Sequence, residues 1–181
     1  MANWCSTNYI IDGDKNELKS LYELIKPLYD DRKCETWLGD VVSALGKNPE
    51  KVSCRGSIEY LDFDGEKITM DTESAWVRCN EVEDLIRERF PHIRIFFYSE
   101  ELGCEVCETN DQNGIYFDYD PYYLDMGDEI EFHTEEEVCA IITDVTGKKC
   151  NSIQEARDII KRHNDADPDN WIVLMELAYV D

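Results

Sequence analysis

Two strand-like runs, at about 53–62 and 66–73, meet at Asp64-Gly65. That dipeptide between alternating segments is a two-residue hairpin signal, so it sets antiparallel pairing at the centre of the chain. Upstream, "WCSTNYII" (4–11) reads as a strand ended by Gly13-Asp14. Asp14 and Glu17 fit a capping box, and Leu18, Leu21, Tyr22, Ile25, Leu28 and Tyr29 follow at helical spacing. Pro27 lacks a backbone donor and predicts a kink or an end near it. Residues 37–45 read as a short helix stopped by Gly46.

Downstream of the hairpin, Asn80 and Glu83 predict a capped helix carrying Val82, Leu85, Ile86 and Phe90, ended by Pro91. "HIRIFFYS" (92–99) has strong β-propensity. "CEVCETN" and "IYFDYD" flank Asn113-Gly114 and predict a second hairpin. Thr134 and Glu137 form another capping box, opening a helix with Val138, Ile141, Ile142 and Val145 inward and Gly147 at its end. A further helix over 152–164 turns Ile153, Ala156, Ile159 and Ile160 inward. "WIVLMELAYV" (171–180) is apolar on both faces apart from Glu176, which predicts a central, covered strand. Trp4, Trp37, Trp76 and Trp171 read as core anchors.

This order predicts an α+β chain with helices mainly on one face of a sheet. A domain over 1–125 is expected to carry a helix–helix–strand extension over 126–181, packed on the same core.

Charge bounds the partners. There are 18 basic and 41 acidic residues, a formal net charge of −23. Such a surface repels nucleic-acid phosphates and anionic membranes, and it favours a basic protein partner. "MANWCSTNYI" has no basic segment and no apolar run, and nothing in the chain reaches the roughly 18 apolar residues of a spanning helix. A cytoplasmic location is expected, with the eight cysteines reduced and mostly buried.

The chemistry-bearing motifs are few. Cys104 and Cys107 form the chain's Cys-x-x-Cys, but residues three apart on a strand point to opposite faces, so two unpaired thiols are expected. Cys79 and His92 sit at no metal-ligand spacing from that pair. Placing Gly114 sixth in a calcium loop puts Asp111 third, Asn113 fifth, Thr109 first and Asp120 twelfth, a poor ligand set. His92 and His133 read as loop-edge residues, and His163 as a partner of its helix C-terminus. No metal and no cofactor are expected.

"MANWCSTN", "WLGDVVSALG" (37–46), "CRG" (54–56), "YSEELG" (98–103) and "TNDQNG" (109–114) resemble the YubB-type ferredoxin-like family of bacterial, plasmid and phage genomes. Members often carry Pro where Leu102 stands here. Over residues 1–125 the resemblance implies a ferredoxin-like sheet topology without any iron–sulfur cluster, and it singles out Glu100, Glu101 and Gly103.

From Ile95 to Gly147 there is no Lys or Arg. Asp118, Asp120, Tyr122 and Tyr123 in that window, with Glu100, Glu101 and Gly103, are the expected binding residues. An acidic aromatic face of this kind suits a mobile-element protein that engages a basic partner, with spaced carboxylates imitating DNA phosphates. The alternative is an enzyme or metal-dependent module centred on the Glu100-Glu101 turn and Cys104/Cys107.

Overall fold

A computed structural model describes residues 3–30, 36–127 and 130–180. The chain mixes helices and antiparallel strands in two compact units, one ending at Phe117 and one spanning Asp118–Val180.

In the first unit the elements are β1 (Trp4–Gly13), α1 (Lys15–Asp30), β2 (Thr36–Trp37), α2 (Leu38–Ala44), β3 (Gly56–Phe63), β4 (Lys67–Ala75), α3 (Asn80–Arg89), β5 (Ile93–Glu101) and β6 (Val106–Thr109). Its strands lie in the order β6-β5-β1-β4-β3-β2. The pairings β5–β6, β1–β5, β1–β4, β3–β4 and β2–β3 are all antiparallel. The first hairpin is present. Its turn is tied by the Asp64 carboxylate, which accepts from Glu66 N at 2.8 Å and Lys67 N at 2.9 Å, and Gly65 takes φ +95°.

Period-2 alternation sorts β1 into two faces. Cys5, Thr7, Tyr9 and Ile11 are buried, with Trp4, Ser6, Asn8 and Ile10 on the opposite side. The inner face packs with Leu18, Leu21 and Ile25 of α1, Val41 and Val42 of α2, and Val82 and Ile86 of α3, all at most 4% exposed. Burying a side chain of this size contributes about 1.5–3 kcal/mol relative to exposure.

Caps show where local signals held. Asp14 accepts from Glu17 N at 3.0 Å, but the Glu17 carboxylate accepts instead from His92 N at 2.9 Å. Half of the expected box is thus diverted to the start of β5. The helix also runs through Pro27 to Asp30, because a proline in the last turn removes only a terminal hydrogen bond. Asn80 does not cap α3. The cap position is Cys79, without a side-chain bond, and Glu83 is turned inward.

The second unit contains β7 (Tyr122–Asp125), β8 (Ile130–His133), α4 (Glu135–Thr146), α5 (Ile153–Ala166) and β9 (Val173–Glu176). Its sheet runs β8-β7-β9 and is antiparallel. The Thr134–Glu137 box forms in full, and Gly147 closes α4 at φ +66°. Ser152 caps α5. Leu124, Val138, Ile142, Ala156, Ile159 and Ile172 make this unit's own core.

Four expectations fail here. The segment 171–180 forms no single central covered strand: it breaks into β9, a four-residue edge strand whose Val173 and Leu174 are only half-buried, and a two-residue strand at Ala178–Tyr179. The residues 115–120 form no strand, so Asn113-Gly114 joins no hairpin; β6 pairs with β5 instead. The four tryptophans are 45–55% exposed, so none anchors a core. Val145 likewise is 49% exposed.

Candidate functional site

Directly paired residues on neighbouring strands share a face, so the register reads out the side of the first sheet opposite α1, α2 and α3. One row runs Ser57–Glu73–Ser6–Glu100–Cys107. The next runs Tyr60–Asp71–Asn8–Tyr98, and a third Asp62–Thr69–Ile10–Phe96. Trp4 stands beside Ala75 at one end, and Asp12 between Lys67 and Arg94 at the other.

Part of this face is roofed. The segment 111–117 folds over it, with Tyr116 edge-on to Phe96 at 5.1 Å and Phe117 6.4 Å from Tyr98. Tyr116 donates its hydroxyl to Asp12 at 2.8 Å, and Arg94 clamps the same carboxylate at 2.8 and 2.7 Å. The buried carboxylate of Asp111 holds the segment closed by accepting from Tyr116 N at 2.5 Å and Phe117 N at 3.0 Å. Burial alone would push the pKa of that group up. The amides of Ile115, Tyr116, Phe117 and Asn113 outweigh it and leave Asp111 below the ordinary range. This is the role of "TNDQNG": a carboxylate-centred turn, with Gly114 at φ +59°.

The rest of the face is open. Tyr60 is 45% and Trp4 49% exposed, and Asp62 and Glu73 face solvent. Asp71 accepts from Asn8 at 2.8 Å, which fixes its carboxylate in the middle of the face. Glu100 accepts from the Tyr98 hydroxyl at 2.6 Å. Burial, then that bond, raises the Tyr98 phenol above its ordinary range, so it stays a donor. Arg55 lies 6.0 Å over the Trp4 ring. Trp76, the next residue beyond β4, is exposed and held at φ +74°, a conformation that non-glycine residues rarely adopt. Trp37 stands at the edge with its ring against Gly39.

Beneath the sheet lies a buried charge cluster. Glu83 accepts from Tyr9 Oη at 2.9 Å, from Arg78 at 2.8 Å and from Arg87 at 3.2 Å. Arg78 also donates to Glu108 at 2.9 Å and stacks 3.9 Å over Phe97. Burial and then the adjacent Glu83 push the Tyr9 phenol far up, so it stays protonated.

The expected binding residues are divided. Glu100 is on the open face. Glu101 points the other way, is 9% exposed, and accepts from Gly103 N at 3.1 Å and from Cys104 N. It therefore closes the turn. A side chain at Gly103 would meet Asn3 Nδ2 at 2.2 Å, so the Asn3 side chain would have to move aside. Asp118 and Asp120 are exposed in the second unit, Tyr122 is half-buried, and Tyr123 is 2% exposed. Tyr119 stacks on Phe132 at 4.4 Å, and Tyr123 meets the same ring edge-on at 5.3 Å. The aromatic run is thus largely packing. The acids are also dispersed: Glu108 pairs with Arg78, Asp111 closes its loop, and Asp125 accepts from Gly127 N at 2.7 Å. Asp128 and Glu129 lie outside the described residues. Trp4, Tyr60, Asp71 and Glu73 were not singled out by sequence as surface groups. Period-2 alternation along β1 and β4 was the signal for Trp4, Asp71 and Glu73, whereas a β-bulge between Ile58 and Tyr60 breaks the alternation that would have turned Tyr60 inward with Ile58.

Cys107 is buried and Cys104 exposed. Burial pushes the Cys107 thiol up to about 11. Among the described residues no group of three or more His, Cys, Asp or Glu side chains is placed to hold a metal ion. Among them also, no helix is long and apolar enough to cross a membrane.

His92 sits at the opposite end of β5 and pairs with Glu17 at 2.7 Å. The hydrogen bond from His92 lowers Glu17, and the bond to Glu17 raises His92. The pair's contribution is therefore present above the unfolded carboxylate value of about 4.3 and lost as pH falls through the lowered folded one. On the alkaline side it is complete below about 6.5 and lost as pH rises through the raised imidazole value. His92→Gln is expected to flatten the stability profile between pH 6 and 8, measured by denaturation at each pH.

No family model and no curated protein matches the chain. Among solved structures, that of an unknown protein from Galdieria sulphuraria aligns at 8% identity over 98% of this chain and 100% of that one, with a TM-score of 0.24. A likeness at that level bears on neither fold nor function.

Proposed function

We propose that the protein is a non-enzymatic binding module that takes a basic segment of a protein partner on the open face of its first sheet. The observation that carries this is the exposed set of Tyr60 and Trp4 beside Asp71, Glu73 and Glu100. Carboxylates next to aromatic rings suit Lys and Arg, which gain an ion pair and a ring face together. The net charge of −23 steers such a partner to the chain and disfavours nucleic acid and anionic lipid. A mobile-element protein that occupies a basic nucleic-acid-binding groove is the version of this reading that the acidic composition suits. A cytoplasmic location accords with the seven described cysteines, all unpaired.

We further read the first unit as ferredoxin-like. What supports this is the succession β1-α1-β3-β4-α3-β5, with its four strands ordered β5-β1-β4-β3 and antiparallel throughout. The β2–α2 segment is then an insertion between α1 and β3.

The test is titration of the full chain with a fluorescent Arg/Lys-rich peptide at low and high salt. Glu73→Gln with Glu100→Gln, and Tyr60→Ala, are each expected to weaken binding about 3- to 5-fold, the scale of exposed ion pairs and cation–π contacts. Glu135→Gln with Glu136→Gln, on α4, serves as the control for bulk charge. Equal losses in the control and in the face variants would reduce the binding to net charge and sink this assignment.

A further inference from the structure

The Cys139 and Cys150 sulfurs lie 3.4 Å apart, and both residues are 8% exposed. Cys139 belongs to α4, and Cys150 to the connection between α4 and α5. One threonine sets them face to face. The Thr143 hydroxyl donates to the Cys139 carbonyl at 2.7 Å and accepts from Cys150 N at 3.0 Å. The Cys150 thiol also contacts the Ser152 carbonyl at 3.4 Å, at the cap of α5. Both residues line a solvent-open cavity of about 850 Å³, whose other walls include Glu135, Ala140, Lys149 and Asn151. A small reagent therefore has a route to a pair that is otherwise shielded.

We propose that Cys139 and Cys150 are a redox-modification site, forming a reversible disulfide that locks α4 to the start of α5. The pair is one hydrogen-bonded step from bond formation: the sulfurs must close from 3.4 Å to about 2.05 Å. The oxidant is a low-molecular-weight disulfide. One protein thiolate attacks it, forms a mixed disulfide and expels one small thiolate. The second protein sulfur then attacks the protein sulfur of that mixed disulfide and expels the other small thiolate. Two protein thiols lose two electrons and two protons; the small disulfide gains them as two thiols. Burial, then the neighbouring Cys150 thiol, pushes Cys139 up to about 11. Little Cys139 thiolate is present at neutral pH, so its reaction is slow there and faster as pH rises. The eleven-residue separation closes a short loop, so the bond also restrains the unfolded chain.

The test treats the full chain with oxidised glutathione, blocks remaining thiols and maps peptides without reduction. The expected result is a linked Cys139–Cys150 peptide and two fewer blockable thiols out of eight. Folding should accelerate that link by roughly tenfold or more over the same chain in urea, because the fold holds the sulfurs together. Cys139→Ser is expected to abolish the link and leave Cys150 carrying at most a mixed disulfide. Two results overturn the proposal: glutathione on exposed Cys104 while Cys139 and Cys150 stay blockable, or a link that forms as fast in urea as in the native protein.

Discussion

Glu83→Ala destabilises the first unit by about 3–5 kcal/mol, the expected cost of removing one partner from a buried ion pair. Glu83 has a side chain 5% exposed, and its main partner Arg78 is 12% exposed. Truncation leaves the Arg78 guanidinium with Glu108 alone and strips the Tyr9 hydroxyl of its acceptor. Burial alone would lower the Arg78 value; Glu83 and Glu108 outweigh it and raise it, which is the mark of a charge held by its partners. Glu83→Gln keeps an acceptor for Tyr9 and is expected to cost about half as much. Replacing Arg78 and Glu83 together by Met recovers most of the loss, because no lone charge is left buried. Chemical denaturation followed by tryptophan fluorescence is suitable, since Trp4, Trp37 and Trp76 all precede Phe117. A cost below 1 kcal/mol for Glu83→Ala would mean that water reaches the cluster and screens it.

Asp111→Ala is the second large effect, at about 3 kcal/mol, because two backbone amides inside a closed turn lose their acceptor. The consequence is specific. Tyr116 and Phe117 are released from Phe96 and Tyr98, so the roofed half of the sheet face opens. Hydrogen exchange at the Tyr116 and Phe117 amides is expected to rise far more than exchange in β4. Asp111→Asn keeps a neutral acceptor and is expected to lose less. The same carboxylate gives a pH signature: its folded value lies below the unfolded one, so its contribution holds above about pH 4 and disappears as pH falls through the folded value. Unchanged exchange at both amides in Asp111→Ala would show that the ring contacts alone close the loop.

Sequence reasoning succeeded where a signal is local and complete. The Thr134–Glu137 box needs only four residues, and it formed. Asn80 and Glu83 carry the same spacing, yet Glu83 is drawn into a cluster with Tyr9 and Arg78. Residue spacing registers the capping option but not the competing buried charge. Glu17 shows the intermediate case, since its backbone amide is capped while its carboxylate is taken by His92. Asn113-Gly114 gave a correct turn and a wrong partner: the turn chemistry is local, but β6 found its neighbour in β5.

The candidate site was legible in its chemistry and not in its place. An acidic aromatic character followed from composition, but the chosen stretch was contiguous in sequence. Four of its groups, Glu101, Glu108, Asp111 and Asp125, became caps or ion-pair partners. The open face instead draws Trp4, Tyr60, Asp71, Glu73 and Glu100 from four different strands.

By itself the sequence determined the α+β class, the strand alternation and most helix ends. Each depends on residues within a few positions of one another, where backbone sterics and capping bonds decide. Only the tertiary structure decided strand order, the edge position of β9, the exposure of the tryptophans, and which carboxylates face solvent. Those outcomes depend on contacts between residues far apart in the chain. There burial sets the cost of a charge, and the nearest available partner, not the nearest in sequence, meets it.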